Sequence, residues 1–430
     1  MARRTSPLVR ALSPLRDFLR TEAAGGAMLV AASVVALVWA NSPWKASYQR
    51  LWHAHFAISL AGHHLDLELQ HWVNDGLMTI FFLVVGLEIK REVTSGHLAG
   101  RRAATLPVAA ALGGMVIPAL VYLAIAGRTA AHGWGVPMAT DIALAVGVLA
   151  LAGSQAPPSL RAFLLGLAVV DDIGAIVVIA VFYSSGVAFG WLVGGAAAAA
   201  VAVLLGRVGV HHTFVYVVIG SVLWLALHEA GIHPTLAGVV MGLLAPVAPR
   251  HTPELVDAEA LRDVSTVDQA RTTVELARSS VSTVEWLEHV LHPWTSYVIV
   301  PLFALANAGI EVSLTSLSHA WRSPITWGVG LGLLIGKPVG VLLATKVSMA
   351  SGIADRPEGT TSRQLLGAGN AAGIGFTVAL FIAQLAFSDG RTVHATQVAD
   401  AKMAILVASV VSGVVAYVVL RQRSSATLVA

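Results

Sequence analysis

Four charged side chains stand in stretches of sequence that are otherwise hydrocarbon: Asp141, Asp171, Asp172 and Lys337. A charge at membrane depth costs a few kcal/mol or more, so such residues are functional candidates by default. A charge pair that merely holds helices together would need one residue of each sign, whereas three carboxylates against one lysine leave negative charge over. Adjacent residues of a helix point about 100° apart, so Asp171 and Asp172 do not both face one partner squarely. One of them can pair with Lys337 while the other faces a water-filled cavity. Desolvation and a neighbouring ammonium act on a carboxylate in opposite directions, so the cluster can be tuned until a cation displaces its protons. Oxygen-only ligands suit a hard ion such as sodium or lithium. Asp75 and Glu88 lie near the two ends of another apolar stretch, where a side chain can snorkel to water.

The backbone around these charges is breakable. One stretch reads Gly135-Val136-Pro137-Met138-Ala139-Thr140-Asp141, and a later one reads Asn370-Ala371-Ala372-Gly373-Ile374-Gly375-Phe376-Thr377. Irregular backbone at membrane depth is tolerated only where it lines a cavity or is buried in protein. A pair of Gly/Pro-interrupted spans in corresponding halves of a chain points to a transporter site. Close helix packing is the alternative for Gly373 and Gly375.

The elements that must hold these residues follow from composition. The chain has 430 residues, 56% of them apolar and 12% charged, about half the roughly 25% charge of a soluble globular protein. Twelve charge-poor stretches run from Ala23–Ala40 to Met403–Leu420, and at about 20 residues per crossing they would use about 240 residues. We expect an all-α polytopic membrane protein of about twelve transmembrane helices, forming one domain over 1–430, with its fourth and eleventh spans interrupted. Residues 1–22 and 421–430 would be tails and 249–286 a loop. The Ala23–Ala40 run, with no small-residue cleavage site after it, reads as a first retained span. Lys and Arg sort by loop: with the N-terminus inside, twenty lie on the inner face, six on the outer face and Lys337 within a span, which accounts for all 27. That bias predicts cytoplasmic N- and C-termini.

Two loops have content of their own. Phe56–Leu69 alternates apolar and polar residues about a Gly-His centre, which suits an external β-hairpin, an irregular loop being the alternative. Over Pro249–Trp286, apolar residues including Leu261, Val264, Val267, Val274, Ala277, Val281 and Val284 recur at three and four residues. This predicts an amphipathic helix on the bilayer surface or against the bundle.

Other chemistries fit poorly. Without cysteine there are no disulfides, thiolate nucleophiles or thiolate metal sites, and a net charge of +3 is too small to point to nucleic acid. An intramembrane aspartyl protease would need its aspartates to share a proton, and neither Asp141 nor Asp171 stands in a Gly-x-Gly-Asp context. His228 and His233 are five apart, one too many for a zinc-protease helix. Gly367, Gly369 and Gly373 miss dinucleotide spacing. No enzyme and no cofactor is expected.

Taken together, the segments Val84–Glu92, Ala139–Ala143, Val170–Ala175, Leu287–Trp294, Ile335–Pro338 and Gly373–Thr377, in that order, resemble the NhaA-type sodium/proton antiporters. The resemblance implies inverted-topology repeats and a bacterial inner-membrane carrier that exports Na+ or Li+ against H+, moves net charge and is regulated by pH. It implies that Asp172 and Asp141 bind the ion and exchange protons, with Thr140 at the broken fourth span. Asp171 and Lys337 would form an intramembrane salt bridge, and Asp171 would itself titrate. Glu88, Arg91, Glu92, Glu288 and His289 match a cytoplasmic region linked to activation at alkaline pH. His233 matches a histidine near an outer helix end, where capping or packing is expected. The Phe56–Leu69 hairpin is where the family forms its homodimer contact. Two departures stand out: the 249–286 loop is long, and Asn370 replaces an apolar residue, either to reach the cavity or to bond a neighbouring backbone. A potassium/proton exchanger or a sodium-coupled symporter is the alternative carrier.

Overall fold

The structure is a computed structural model that describes residues 22–60, 63–96, 98–128, 130–153, 156–184, 186, 188–210, 212–247, 281–388 and 394–422. Most of the predicted surface helix, 249–280, therefore lies outside the described residues, as do parts of both termini. The described chain is mainly helical. In order the elements are α1 (Glu22–Ala40), α2 (Lys45–Trp52), strands β1 (His55–Leu60) and β2 (His63–Glu68), α3 (Leu69–Thr94), α4 (Arg101–Ala126), a 3-10 segment (Ala131–Met138), α5 (Ile142–Ala152), α6 (Pro158–Phe182), α7 (Phe189–Val208), α8 (Thr213–Glu229), α9 (Leu236–Leu244), α10 (Thr283–Asn307), α11 (Leu314–Arg322), α12 (Pro324–Ala350), α13 (Ser362–Ala372), α14 (Phe376–Ala386) and α15 (Ala395–Arg421). The strands pair antiparallel, with His55 opposite Glu68 and Phe56 opposite Leu67.

Among the described residues, eight helices are long and apolar enough to cross a membrane, or ten if each of two bent pairs forms one span. The sequence reading of twelve counts stretches that fold here as shorter helices: α8 has 17 residues and α9 only nine. The two bent pairs are α1 with α2, at 116°, and α13 with α14, at 45°.

Local chemistry sets the helix ends. Ser282 and Thr361 accept the Glu285 and Gln364 amides as N-caps, and Gln364 reaches back to close a capping box on α13. At the other ends, Gly127 and Gly209 take φ of +62° and +85° after α4 and α7, a conformation that costs glycine little.

The chain divides into two compact units. The first comprises 1–74, 100–183 and 296–430, and the second 75–99 and 184–295. Within the first, α4 and α12 cross at Gly113 and Gly340, where a Cβ on either would overlap the facing backbone carbonyl. Leu149, Leu160, Leu164, Leu167, Leu365 and Leu420 fill one part of its interior. Within the second, Gly238 and Gly242 of α9 lie against the backbone of Thr79 and Leu83 in α3. Large aliphatics such as Val30, Val34 and Val38 of α1 and Leu112, Val116 and Leu120 of α4 are exposed, while charged groups are buried. Such an apolar exterior is wetted by lipid tails rather than by water.

Candidate ion-binding site

The site lies within the first unit, where two helix interruptions meet. The 3-10 segment ends at Met138, residues Ala139 to Asp141 run extended, and α5 starts at Ile142. Pro137, near the end of the 3-10 turn, has no N–H to continue a helical ladder. The second interruption, Gly373 to Gly375, separates α13 from α14. The two breaks are joined directly: the Asp141 amide donates to the Ile374 carbonyl at 2.6 Å, and the Thr140 hydroxyl donates to the Ala372 carbonyl at 2.9 Å. Glycine keeps the second break close both to α12 and to the extended segment. A Cβ on Gly373 would stand 2.7 Å from the Leu333 carbonyl, and one on Gly375 would stand 3.1 Å from the Ala139 carbonyl.

Asp141 is the N-cap of α5. Its Oδ1 accepts the Leu144 amide at 3.1 Å, and its Oδ2 accepts both the Thr377 amide at 3.1 Å and the Thr377 hydroxyl at 2.6 Å. The first turns of α5 and α14 therefore converge on one carboxylate that is 3% exposed. Two positive helix ends and a short hydroxyl bond stabilise a negative charge where no bulk water reaches it.

The C-terminal end of the 3-10 segment serves the cation. Lys337 is fully buried; its ammonium donates to Asp171 Oδ2 at 2.6 Å and to the Met138 carbonyl at the end of the 3-10 segment. The Thr140 hydroxyl also donates to Asp171 Oδ2, at 2.6 Å. Lys337 therefore takes Asp171 as its partner. Asp171 Oδ1 is buried and has no hydrogen-bond partner among the described residues, which leaves one oxygen of the pair open to a further ligand. Asp172, one residue on, is 6% exposed. Just before Lys337, residues Gly332–Gly336 form a π segment, a distortion frequent at functional sites.

The remaining residues predicted from sequence are placed in the second unit. Arg91 bridges two carboxylates: it donates to Glu288 Oε1 and lies 3.3 Å from Glu92 Oε1. Glu88 interacts electrostatically with all three. His289 is exposed. His233 Nδ1 is 2.7 Å from the Thr235 hydroxyl and its Nε2 is 3.6 Å from Asp75 Oδ1. In the first unit, Asn370 bonds its own helix, donating to the Leu366 carbonyl at 2.9 Å.

Sequence reasoning left two groups out of the site. Thr377 was visible only as part of a motif, and the Met138 carbonyl has no sequence signal at all. Among the described residues, no three His, Asp or Glu side chains gather closely enough to enclose a metal ion; the carboxylates are held by donors and by Lys337 instead.

The model of the family described as Na+/H+ antiporter 1 matches residues 16–420. The chain belongs to this family. A relative from Sorangium cellulosum named Na(+)/H(+) antiporter NhaA 2 is 47% identical over 424 residues, covering 94% of this chain and 89% of that protein. Relatives named Na(+)/H(+) antiporter NhaA from Oleidesulfovibrio alaskensis and Rhodopirellula baltica are 45% and 43% identical, over 96% and 95% of this chain and 95% and 93% of their own lengths. With its apolar helices, this family membership makes the chain a multi-pass membrane protein.

Proposed function

We propose that this chain is an electrogenic antiporter that exports Na+ or Li+ in exchange for H+, by alternating access to a site built on Asp172 and Asp141. The observation that carries the reading is the pair of facing interruptions, which aims two helix N-termini at Asp141 and the Met138 carbonyl at Lys337. Such a site is preorganised for a carboxylate that is alternately charged and neutral, because its donors stay fixed when the proton leaves. Family membership supports Na+ and H+ as the exchanged ions.

In this reading the cation and protons compete for the carboxylates of Asp172 and Asp141, and the empty charged site crosses poorly between the two openings. Coupling follows from that exclusion. Asp171 and Lys337 form the adjacent ion pair, Asp171 itself taking part in proton exchange, while Thr140 links the pair to the interrupted backbone. Two protons against one monovalent ion move net charge, and each unit is worth about 2.3 kcal/mol per 100 mV. The membrane potential then drives export. Glu88, Arg91, Glu92, Glu288 and His289 regulate the exchange by pH. The protein resides in the bacterial inner membrane as a homodimer with both termini cytoplasmic, and its halves are inverted repeats.

The test uses everted vesicles with a pH dye. Sodium or lithium is expected to release protons from an acidified lumen and potassium to have no effect; a response to potassium alone would favour the other carrier class. Asp172→Asn is expected to abolish the sodium response, and full exchange with normal sodium affinity would refute the site.

A further inference from the structure

Helix α11, with the loop before it, lies away from the ion site and carries two stripes. Leu314, Leu317 and Trp321, three and four residues apart, are 88%, 52% and 69% exposed. The complementary stripe, which includes Ser318, His319 and Arg322, lines a cavity of about 670 Å3 whose other walls include Thr396, Gln397 and Asp400 at the start of α15. Every wall belongs to the first unit.

The cavity holds one charge of each sign. The Asp400 carboxylate is 5% exposed, with Oδ1 3.2 Å from His319 Nδ1. Arg322 is exposed and forms no hydrogen bond or ion pair among the described residues. Beside the apolar stripe, the Trp321 and Trp327 rings meet edge to face at 4.8 Å, and the Trp327 indole donates to the Trp321 carbonyl at 2.8 Å. Exposed tryptophans at a helix end mark the level of lipid headgroups, where an amphipathic ring has one wet and one apolar side. An amphipathic helix at that level buries its apolar stripe among acyl chains.

We infer that this cavity binds the phosphoethanolamine headgroup of a membrane phospholipid. The phosphate meets the Arg322 guanidinium and the Ser318 and Thr396 hydroxyls, and the primary ammonium meets Asp400. The acyl chains lie along Leu314, Leu317 and Trp321. Charge complementarity selects this headgroup. A phosphocholine has no N–H to donate to the buried carboxylate, and a phosphoglycerol brings no cation to it. Ala130, beside the 3-10 segment that leads to Asp141, and Pro324, the first residue of the helix that carries Lys337, also line the cavity. A bound headgroup would therefore brace the outer ends of both elements.

The test uses the full chain in vesicles containing acyl-brominated phosphatidylethanolamine, phosphatidylcholine or phosphatidylglycerol at equal mole fraction. Trp321 quenching is read as the difference between the wild type and Trp321→Phe. Quenching is expected to be strongest with the ethanolamine lipid; Asp400→Asn is expected to abolish that preference, and Arg322→Gln to weaken quenching by all three lipids alike. Ethanolamine lipid retained through detergent purification, measured by mass spectrometry, is expected to fall about five-fold in Arg322→Gln, the size of a partly exposed ion pair. Because Asp400 is buried and its variant can fail to fold, the headgroup preference of the wild type and the retention loss at the exposed Arg322 position decide without it. Equal quenching by all three lipids, or undiminished retention in Arg322→Gln, overturns the inference.

Discussion

At the residue scale, the site is a problem of keeping charge in a place without water, and the structure solves it with two different sets of partners. Asp141 is held by three donors, the shortest being the Thr377 hydroxyl at 2.6 Å. A hydrogen bond to a charged group is worth about 1.5–3 kcal/mol, so Thr377→Val is expected to slow sodium-driven exchange by at least about ten-fold, with Thr377→Ser restoring most of it. Initial rates in vesicles against sodium concentration check this. Lys337 and Asp171 are held by each other. Removing one partner of a buried pair costs about 3–5 kcal/mol, so Lys337→Met is expected to lower the detergent melting temperature markedly. The double variant Lys337→Met with Asp171→Asn is expected to regain most of that loss, because no unpaired charge remains; additive losses in the cycle would show that the two do not act as a pair. The aspartates and the lysine were legible in sequence because a charge in an apolar run is conspicuous. Thr377 was not, since hydroxyls are common in membrane helices and only the fold shows which one meets a carboxylate.

At the element scale, two helices give up their hydrogen-bond ladders where they meet. The freed groups satisfy each other, Asp141 N–H to Ile374 and Thr140 Oγ to Ala372, which is what permits irregular backbone away from water. The second break also leaves no room for a side chain against α12, because the Leu333 carbonyl would lie 2.7 Å from a Cβ on Gly373. Gly373→Val is therefore expected to abolish exchange and to reduce the yield of monodisperse protein. Gly147→Ala, in α5 where the added methyl meets nothing within 4 Å, is expected to be neutral or to stabilise by up to about 1 kcal/mol; size-exclusion profiles and melting curves distinguish the two. The Gly/Pro content of both stretches pointed to breaks. The π segment before Lys337 left no trace in the sequence, because Gly-Leu-Leu-Ile-Gly would read equally well as ordinary α-helix, and it is the packing of Gly332 against Pro137 and of Gly336 against Pro118 that surrounds it.

At the scale of the whole molecule, aliphatics cover the outside as well as fill the interior, while the Lys337–Asp171 ion pair is buried. The inside-positive bias predicts the orientation, and the absence of native cysteine makes it simple to test. A cysteine at Lys45→Cys is expected to react with an impermeant maleimide in intact cells, and one at Arg207→Cys only after permeabilisation; the reverse pattern would invert the proposed topology. Membrane residence, breakable backbone and the chemical identity of the buried charges were determined by the sequence alone, because hydropathy, glycine content and charge are local properties. Which aspartate Lys337 takes, and what holds Asp141, were decided only by the tertiary structure. Those contacts join residues 166 and 236 positions apart, and no local property of either partner records where the other will come to lie.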